Sequence, residues 1–98
     1  MKVIFAAFDL DHLETELRES AGHGQNVDRA FRKVMQAIRM AVDIRDLAAI
    51  RALRLERLKG KRRHQWSLRL NDQWRLIIEF EGGGPDTVVS VIEIVDYH

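Results

Sequence analysis

Two stretches in the second half of the chain alternate between apolar and polar residues with a period of two. They are Gln65–Leu70 and Trp74–Glu81, and only Asn71, Asp72 and Gln73 separate them. Successive side chains of a β-strand point to opposite faces, so this alternation is typical of a half-buried strand. Two such strands joined by a short polar turn predict an antiparallel hairpin. The fold must therefore be built around a sheet.

The hairpin has different side chains on its two faces. Its apolar residues share one parity and are expected in the core, both tryptophans included. This apolar set is Trp66, Leu68, Leu70, Trp74, Leu76, Ile78 and Phe80. Arg69 and Arg75 have the opposite parity and are expected on the other face. There Arg75 either binds a ligand or pairs with Glu79 or Glu81 and only stabilises the sheet.

Further strands are indicated on both sides of the hairpin. Thr87–Val95 is rich in valine and isoleucine and follows the turn Gly82–Asp86, which predicts a third strand. The apolar run Val3–Phe8 is too short for periodicity to decide between a strand and the start of a helix.

Helical spacing occurs before residue 51. Asp11 is expected to cap a first helix that ends at Ala21–Gly24. Asn26 is expected to cap a second helix with a buried stripe at helical spacing. That stripe comprises Val27, Phe31, Val34, Met35, Ile38, Ala41 and Val42. Asp43 is expected to cap a short helix over Ile44–Ile50.

These elements predict one α+β domain over residues 1–98, with N-terminal helices packed on one face of a small antiparallel sheet. The chain has no cysteine, which excludes disulfides, thiolate metal ligands and thiol nucleophiles. Its four histidines lack the spacing of metal ligands on a helix, so we expect no metal site and no cofactor. No apolar run is long enough to cross a membrane, and we expect a cytoplasmic protein.

Positive charge is concentrated in one part of the chain. Arg51–Arg75 holds nine lysines and arginines against two acidic residues, a net charge of +7 in a chain whose total is +1. Lys59–Arg63, called the basic segment below, contains four cations and one flexible glycine. Clustered cations favour a polyanion such as RNA, although a solubilising loop has the same composition. We favour RNA phosphate as the ligand.

Three motifs resemble one known family. They are Leu58–Arg62 (LKGKR), Gln65–Arg75 (QWSLRLNDQWR) and Ile92–His98 (IEIVDYH). Together they are similar to the HigB group of RelE-type toxins, also called plasmid maintenance killer proteins, over roughly Leu55–His98. The N-terminal helices match that group only in their order. The resemblance implies helices packed on a curved antiparallel sheet whose concave face is the active surface.

The resemblance also implies an activity and its partners. Toxins of this group are metal-independent mRNA endonucleases that cleave the codon in the ribosomal A site and stop translation. They contact both mRNA and ribosomal RNA. A cognate antitoxin, usually a helix-turn-helix repressor, neutralises them.

Site residues follow from the same resemblance, by position in the motifs. The implied catalytic set is Glu56, Lys59, Arg75, Asp96, Tyr97 and His98. Lys59 and Arg75 would stabilise the phosphate, and the last three would supply acid–base and orienting roles. Glu56 stands where one pattern of the group has a histidine and is a candidate base. The implied RNA-binding set is Lys61, Arg62, Arg63, His64 and Arg69.

Two other functions remain open from the sequence. A RelE-like domain that binds RNA or the ribosome without cutting would need the same basic segment. A ParE-like relative would instead inhibit gyrase, and the basic segment and the Asp96–His98 end argue against that function.

Overall fold

The centre of the molecule is a five-stranded sheet. A computed structural model of the chain describes residues 1–6 and 25–96. The strands are β1 (Lys2–Phe5), β2 (Glu56–Arg57), β3 (Trp66–Arg69), β4 (Trp74–Glu81) and β5 (Val88–Asp96). Their order across the sheet is β1-β5-β4-β3-β2. Neighbours among β2 to β5 are antiparallel, whereas β1 is parallel to β5.

The α+β class is confirmed, and so is the hairpin, which is β3–β4. Its turn is closed by the Asn71 side chain, whose Oδ1 accepts hydrogen bonds from the backbone N–H groups of Gln73 and Trp74, both at 2.8 Å. This is the local bonding that makes asparagine a turn residue. The sheet differs from the prediction in being mixed, because the N-terminal apolar run is an edge strand that pairs with β5 in parallel.

Two α-helices lie among the described residues: α1 (Gln25–Met40) and α2 (Ile44–Ala49). Asp43 is the N-cap of α2, as predicted, and its Oδ1 accepts from the Arg45 N–H at 2.9 Å. The hydrogen bond from the Arg45 side chain holds the pKa of Asp43 below its ordinary value. Neither described helix is long and apolar enough to cross a membrane. The predicted first helix, capped by Asp11, lies outside the described residues.

The α1 prediction needs two corrections. Val42 is 64% exposed, because α1 ends at Met40 and the helical stripe ends with it. Asn26 lies inside the helix rather than at its N-cap. The other predicted stripe positions are buried.

The core lies between α1 and one face of the sheet, which we call the inner face. Phe31, Met35 and Ile38 of α1 are fully buried against it. The inner face contributes Leu68, Leu76, Ile78, Val89, Val91 and Ile94. Each such side chain stabilises the fold by about 1.5–3 kcal/mol relative to full exposure. The opposite face of the sheet, which we call the outer face, contains buried residues too, among them Ser67, Ile77 and Arg75.

Both tryptophans pack against this core, as predicted, although each is only half-buried. The Trp66 ring meets Phe80 edge to face with 5.7 Å between centroids. The guanidinium of Arg57 lies 5.9 Å from the centroid of Trp66, within the range of a cation–π contact. These contacts engage Trp66 in packing, which argues against its use as a base-stacking platform.

Candidate active site on the outer sheet face

The strand register brings chemically capable side chains together on the outer face. Directly paired residues of antiparallel strands share a face. Glu56, Ser67, Ile77 and Glu93 therefore form one row across β2, β3, β4 and β5. Arg69, Arg75 and Val95 form the neighbouring row. The prediction that both arginines face away from the core is confirmed.

Arg75 is the most unusual side chain in this row because it is a cation that is only 6% exposed. Its Nη1 donates to the backbone carbonyl of Arg54 at 3.4 Å. Arg54 has left-handed backbone angles, φ 45° and ψ 57°, which are strained for a residue with a Cβ atom. A buried guanidinium interacts with an anion more strongly than an exposed one does. Arg75 is thus suited to hold a phosphate.

Arg69 has a different environment from Arg75, although the two are directly paired. It forms an ion pair with Asp72 of the hairpin turn and is 34% exposed. Like charges directly opposite each other destabilise a sheet. The Asp72 carboxylate reduces that repulsion because it pairs with Arg69. Part of the positive charge of Arg69 is therefore neutralised within the protein.

The basic segment follows β2 and folds back along the sheet. Gly60 has φ +67°, a left-handed value that favours glycine. The Nε of Arg57 donates to the carbonyl of Arg63 at 2.6 Å. The Nη2 of Arg62 reaches Glu93 Oε1 on β5 at 2.8 Å. The Arg62 guanidinium therefore reaches the row next to that of Arg75, although strand directions alone would separate the segment from the end of β5.

A β-bulge explains why Glu93 faces this segment. The β4–β5 register shifts between Ile77 and Ile78, so that Ile77 pairs with Glu93 and Ile78 with Val91. Ile92 is the extra residue. Strict alternation from Val91 would have turned Glu93 towards the core, and the bulge moves it to the outer face instead. Sequence periodicity could not reveal this residue.

The remaining predicted catalytic residues are distributed as follows. Glu56 is exposed on the edge strand β2. Asp96 pairs with Trp74, so the register puts it on the inner-face side, away from Arg75. Its Oδ2 accepts from Gln73 Nε2 at 3.0 Å. Tyr97 and His98 lie outside the described residues. Only part of the predicted catalytic set therefore has a described position on one face.

Three outer-face residues were missed by the sequence reasoning, namely Gln65, Ser67 and Glu93, and Glu79 was considered only as a partner of Arg75. Gln65 Nε2 donates to Glu79 Oε2 at 2.9 Å, and His64 Nε2 lies 3.9 Å from the same oxygen. The Ser67 hydroxyl is buried and has no hydrogen-bond partner among the residues that the structure describes. The alternation of β3 gave the parity of Ser67 and Gln65, but nothing in the sequence indicated their partners.

Comparison with known proteins identifies the group to which this fold belongs. The family profile of HigB-like toxins, described as RelE-like toxins of the type II toxin–antitoxin system HigB, matches residues 6–98. The chain belongs to the HigB-like family of toxins. The resemblance noted from the motifs is thereby confirmed. Membership of a type II toxin–antitoxin family implies an antitoxin partner.

A solved structure with a similar fold is described as a YoeB/ParE toxin from Agrobacterium tumefaciens. It has a TM-score of 0.62 and 19% sequence identity, with all of both chains covered. At this identity the likeness concerns the fold, which agrees with a RelE-like α+β architecture. No curated protein sequence gives a significant match.

Proposed function

We propose that this HigB-like toxin is a ribosome-dependent mRNA endonuclease that acts in the cytoplasm and stops translation. The observation that carries the proposal is the buried Arg75 guanidinium on the outer face, one row from Glu93, which the side chain of Arg62 in the basic segment contacts. Preorganised cations near a reacting phosphate are the main requirement for stabilising its transition state. Lys59 is exposed at the start of that segment and would supply a second cation.

The reaction is transfer of an RNA phosphate to its own 2′-oxygen. The 2′-oxygen forms a bond to phosphorus, and the bond from phosphorus to the 5′-oxygen breaks. The products are a 2′,3′-cyclic phosphate and a 5′-hydroxyl. A base must take the 2′-OH proton and an acid must protonate the leaving 5′-oxygen. Arg75 and Lys59 would bind the phosphate oxygens, where negative charge increases in the transition state.

Glu56 is the base candidate that shares the outer face with Arg75. The register separates the Cα atoms of Glu56 and Arg75 by two strands and one row, about 12 Å. Two long side chains at that separation can converge on one phosphodiester group. The acid and an orienting group would come from Tyr97 and His98, as the family resemblance implies, because the register puts Asp96 on the inner-face side, away from Arg75.

Lys61 and Arg63 would contact RNA backbone in mRNA or ribosomal RNA. Both are exposed, and binding through such cations weakens steeply with salt. The proposed physiological partners are mRNA in the ribosomal A site, ribosomal RNA, and a helix-turn-helix antitoxin.

Primer extension on a translated message after brief induction tests this function. The wild-type protein should give new 5′ ends within translated codons and should arrest growth. Lys59→Ala should abolish most of these ends. Lys33→Ala on α1 removes the same charge from an exposed lysine outside the basic segment and should leave them unchanged.

Intact translated mRNA beside ribosome-bound, folded wild-type protein would refute the nuclease and favour a non-cleaving RNA-binding domain. Inhibition of supercoiling by purified gyrase would favour a ParE-like function instead. Together the two assays separate the three functions.

A further inference from the structure

The cations of the basic segment fall into two groups. Hydrogen bonds and ion pairs between described residues do not engage the side chains of Lys59, Lys61 or Arg63. Arg62, by contrast, contacts two other side chains. Three cations of the segment are therefore exposed, whereas Arg62 is bound to other side chains of the protein.

Arg62 begins a chain of polar contacts across the outer face. Its Nε donates to Gln65 Oε1 at 2.6 Å, and Gln65 Nε2 donates to Glu79 Oε2 at 2.9 Å. Its Nη2 also donates to Glu93 Oε1 at 2.8 Å. The chain runs from a cation through a neutral amide to a carboxylate, so each donor meets an acceptor.

Gln65 is the most firmly held residue in this series of polar contacts. It is 9% exposed, and its backbone is held on both sides: its N–H donates to the Arg62 carbonyl at 2.8 Å and its carbonyl accepts from Leu58 N–H at 2.9 Å. Its amide has one satisfactory orientation, with oxygen towards Arg62 and NH₂ towards Glu79. The Arg62–Glu93 pair is about half exposed at both ends and is worth less by itself.

Arg62 is also linked to Lys59 through the backbone. The Arg62 N–H donates to the Lys59 carbonyl at 3.4 Å, and Lys59 is the N-cap of the single 3-10 turn Gly60–Arg62. Holding the Arg62 side chain therefore restrains the backbone turn that Lys59 precedes as its N-cap. Holding a cation in place matters because small displacements of a positioned group are costly to catalysis.

We propose that Gln65, Glu79 and Glu93 are positioning residues that, through Arg62, hold Lys59 where it can contact the RNA phosphate. The proposal rests on the nuclease function above and deepens it. It also changes the role of Arg62 from an RNA contact to the anchor of the segment.

An exchange of charge between Gln65 and Glu79 tests this chain directly. Gln65→Glu puts two carboxylates against each other, and their repulsion should move the side chain at position 65 away from Glu79 and out of its contact with Arg62, which releases the segment. The double variant Gln65→Glu/Glu79→Gln restores a complete chain, because the carboxylate introduced at position 65 would accept from Arg62 and from the new amide at position 79. The double variant also has the wild-type net charge. Gln36→Glu on α1 is the matched control for a single added charge.

Tryptic cleavage within the basic segment is the first readout, since trypsin cuts after lysine and arginine. Release of the segment should raise the cleavage rate of Gln65→Glu about tenfold or more, because one hydrogen bond to a charged group is lost. The double variant should return to within about threefold of wild type. Unchanged cleavage of Gln65→Glu, or no recovery in the double variant, would overturn the proposal whatever the protein does to RNA.

Cleavage of translated mRNA is the second readout. Gln65→Glu should lose about tenfold to a hundredfold in cleavage rate, while pelleting with ribosomes carrying a 2′-O-methylated message changes little. The double variant should recover the rate. Full activity of Gln65→Glu despite faster proteolysis would show that the held geometry is not needed. If the wild type cleaves no mRNA, the nuclease function fails, and the tryptic pattern still decides whether the anchor exists.

Discussion

Replacement of Arg75 by methionine separates what this side chain does for the reaction from what it does for the fold. Methionine has a similar length and no charge, so the substitution removes the guanidinium with little change in volume. Arg75 is 6% exposed, and its hydrogen bond to the Arg54 carbonyl, at 3.4 Å, is long. The two expected effects differ greatly in size.

The stability effect combines opposing contributions. Loss of a hydrogen bond from a charged donor costs about 1.5–3 kcal/mol for each bond, and the 3.4 Å length of the bond to Arg54 puts that bond at the lower end. Burial of the methionine side chain contributes about 1.5–3 kcal/mol in the other direction, and the cost of burying a guanidinium disappears. The net change should stay within about 2 kcal/mol, which corresponds to a Tm change below about 15 °C in a domain of this size.

The effect on activity should be far larger. Removing one preorganised donor to a transition-state charge typically costs about a hundredfold to a thousandfold in rate. Arg75→Lys keeps the charge without the planar fork and should lie between the wild type and Arg75→Met. Primer extension on translated mRNA gives the rate, and thermal unfolding by circular dichroism gives Tm.

Two results would refute this reasoning. Cleavage by Arg75→Met within about threefold of the wild-type rate would remove Arg75 from the catalytic machinery. A Tm loss well beyond about 15 °C would mean that Arg75 is kept for the fold, as in the alternative that it only stabilises the sheet.

Three further predictions concern stability and use thermal unfolding. Arg54→Gly should raise Tm by a few degrees, because a left-handed non-glycine residue costs about 1 kcal/mol, whereas Arg51→Gly in the adjacent 3-10 turn should lower it. Leu68→Ala removes a fully buried side chain and should cost about 2–5 kcal/mol; a smaller loss would mean that the core relaxes around the cavity. The pKa of Asp43 in the folded protein is lower than its ordinary value of 3.8, so the ionised carboxylate stabilises the fold at pH above that value. This contribution is lost as pH falls through the pKa of the folded state. Asp43→Ala should therefore lower Tm at neutral pH and converge on wild type in acid; a pH-independent difference would contradict this.

The features predicted correctly from the sequence depend on contacts between near neighbours. The β3–β4 hairpin and the parity of Arg69 and Arg75 follow from alternation over a few residues. The α2 cap follows from Asp43 and the N–H two residues later. In each case the interacting residues are only a few positions apart in the sequence. The same short segment therefore contains both the sequence pattern and the contact that forms the structure.

The features that were missed depend on distant parts of the chain. The Arg62–Glu93 pair joins residues 31 positions apart, and it exists because a bulge at Ile92 reverses the side of Glu93. Nothing within the basic segment distinguishes Arg62 from Arg63. The parallel pairing of β1 had no local signal either, since a short apolar run is compatible with several structures.

The parallel pairing of β1 with β5 also determines when the sheet can be completed during protein synthesis. β1 is made first, yet its partner residues, Val88 to Val91, are translated more than 80 residues later. Pairings between such distant segments form slowly. A long loop must close first, and the entropy lost in closing it is offset only when the contacts have formed. The sheet therefore stays incomplete while the chain is growing. The toxin would thus have no finished sheet until the strand β5 has left the ribosome that makes it.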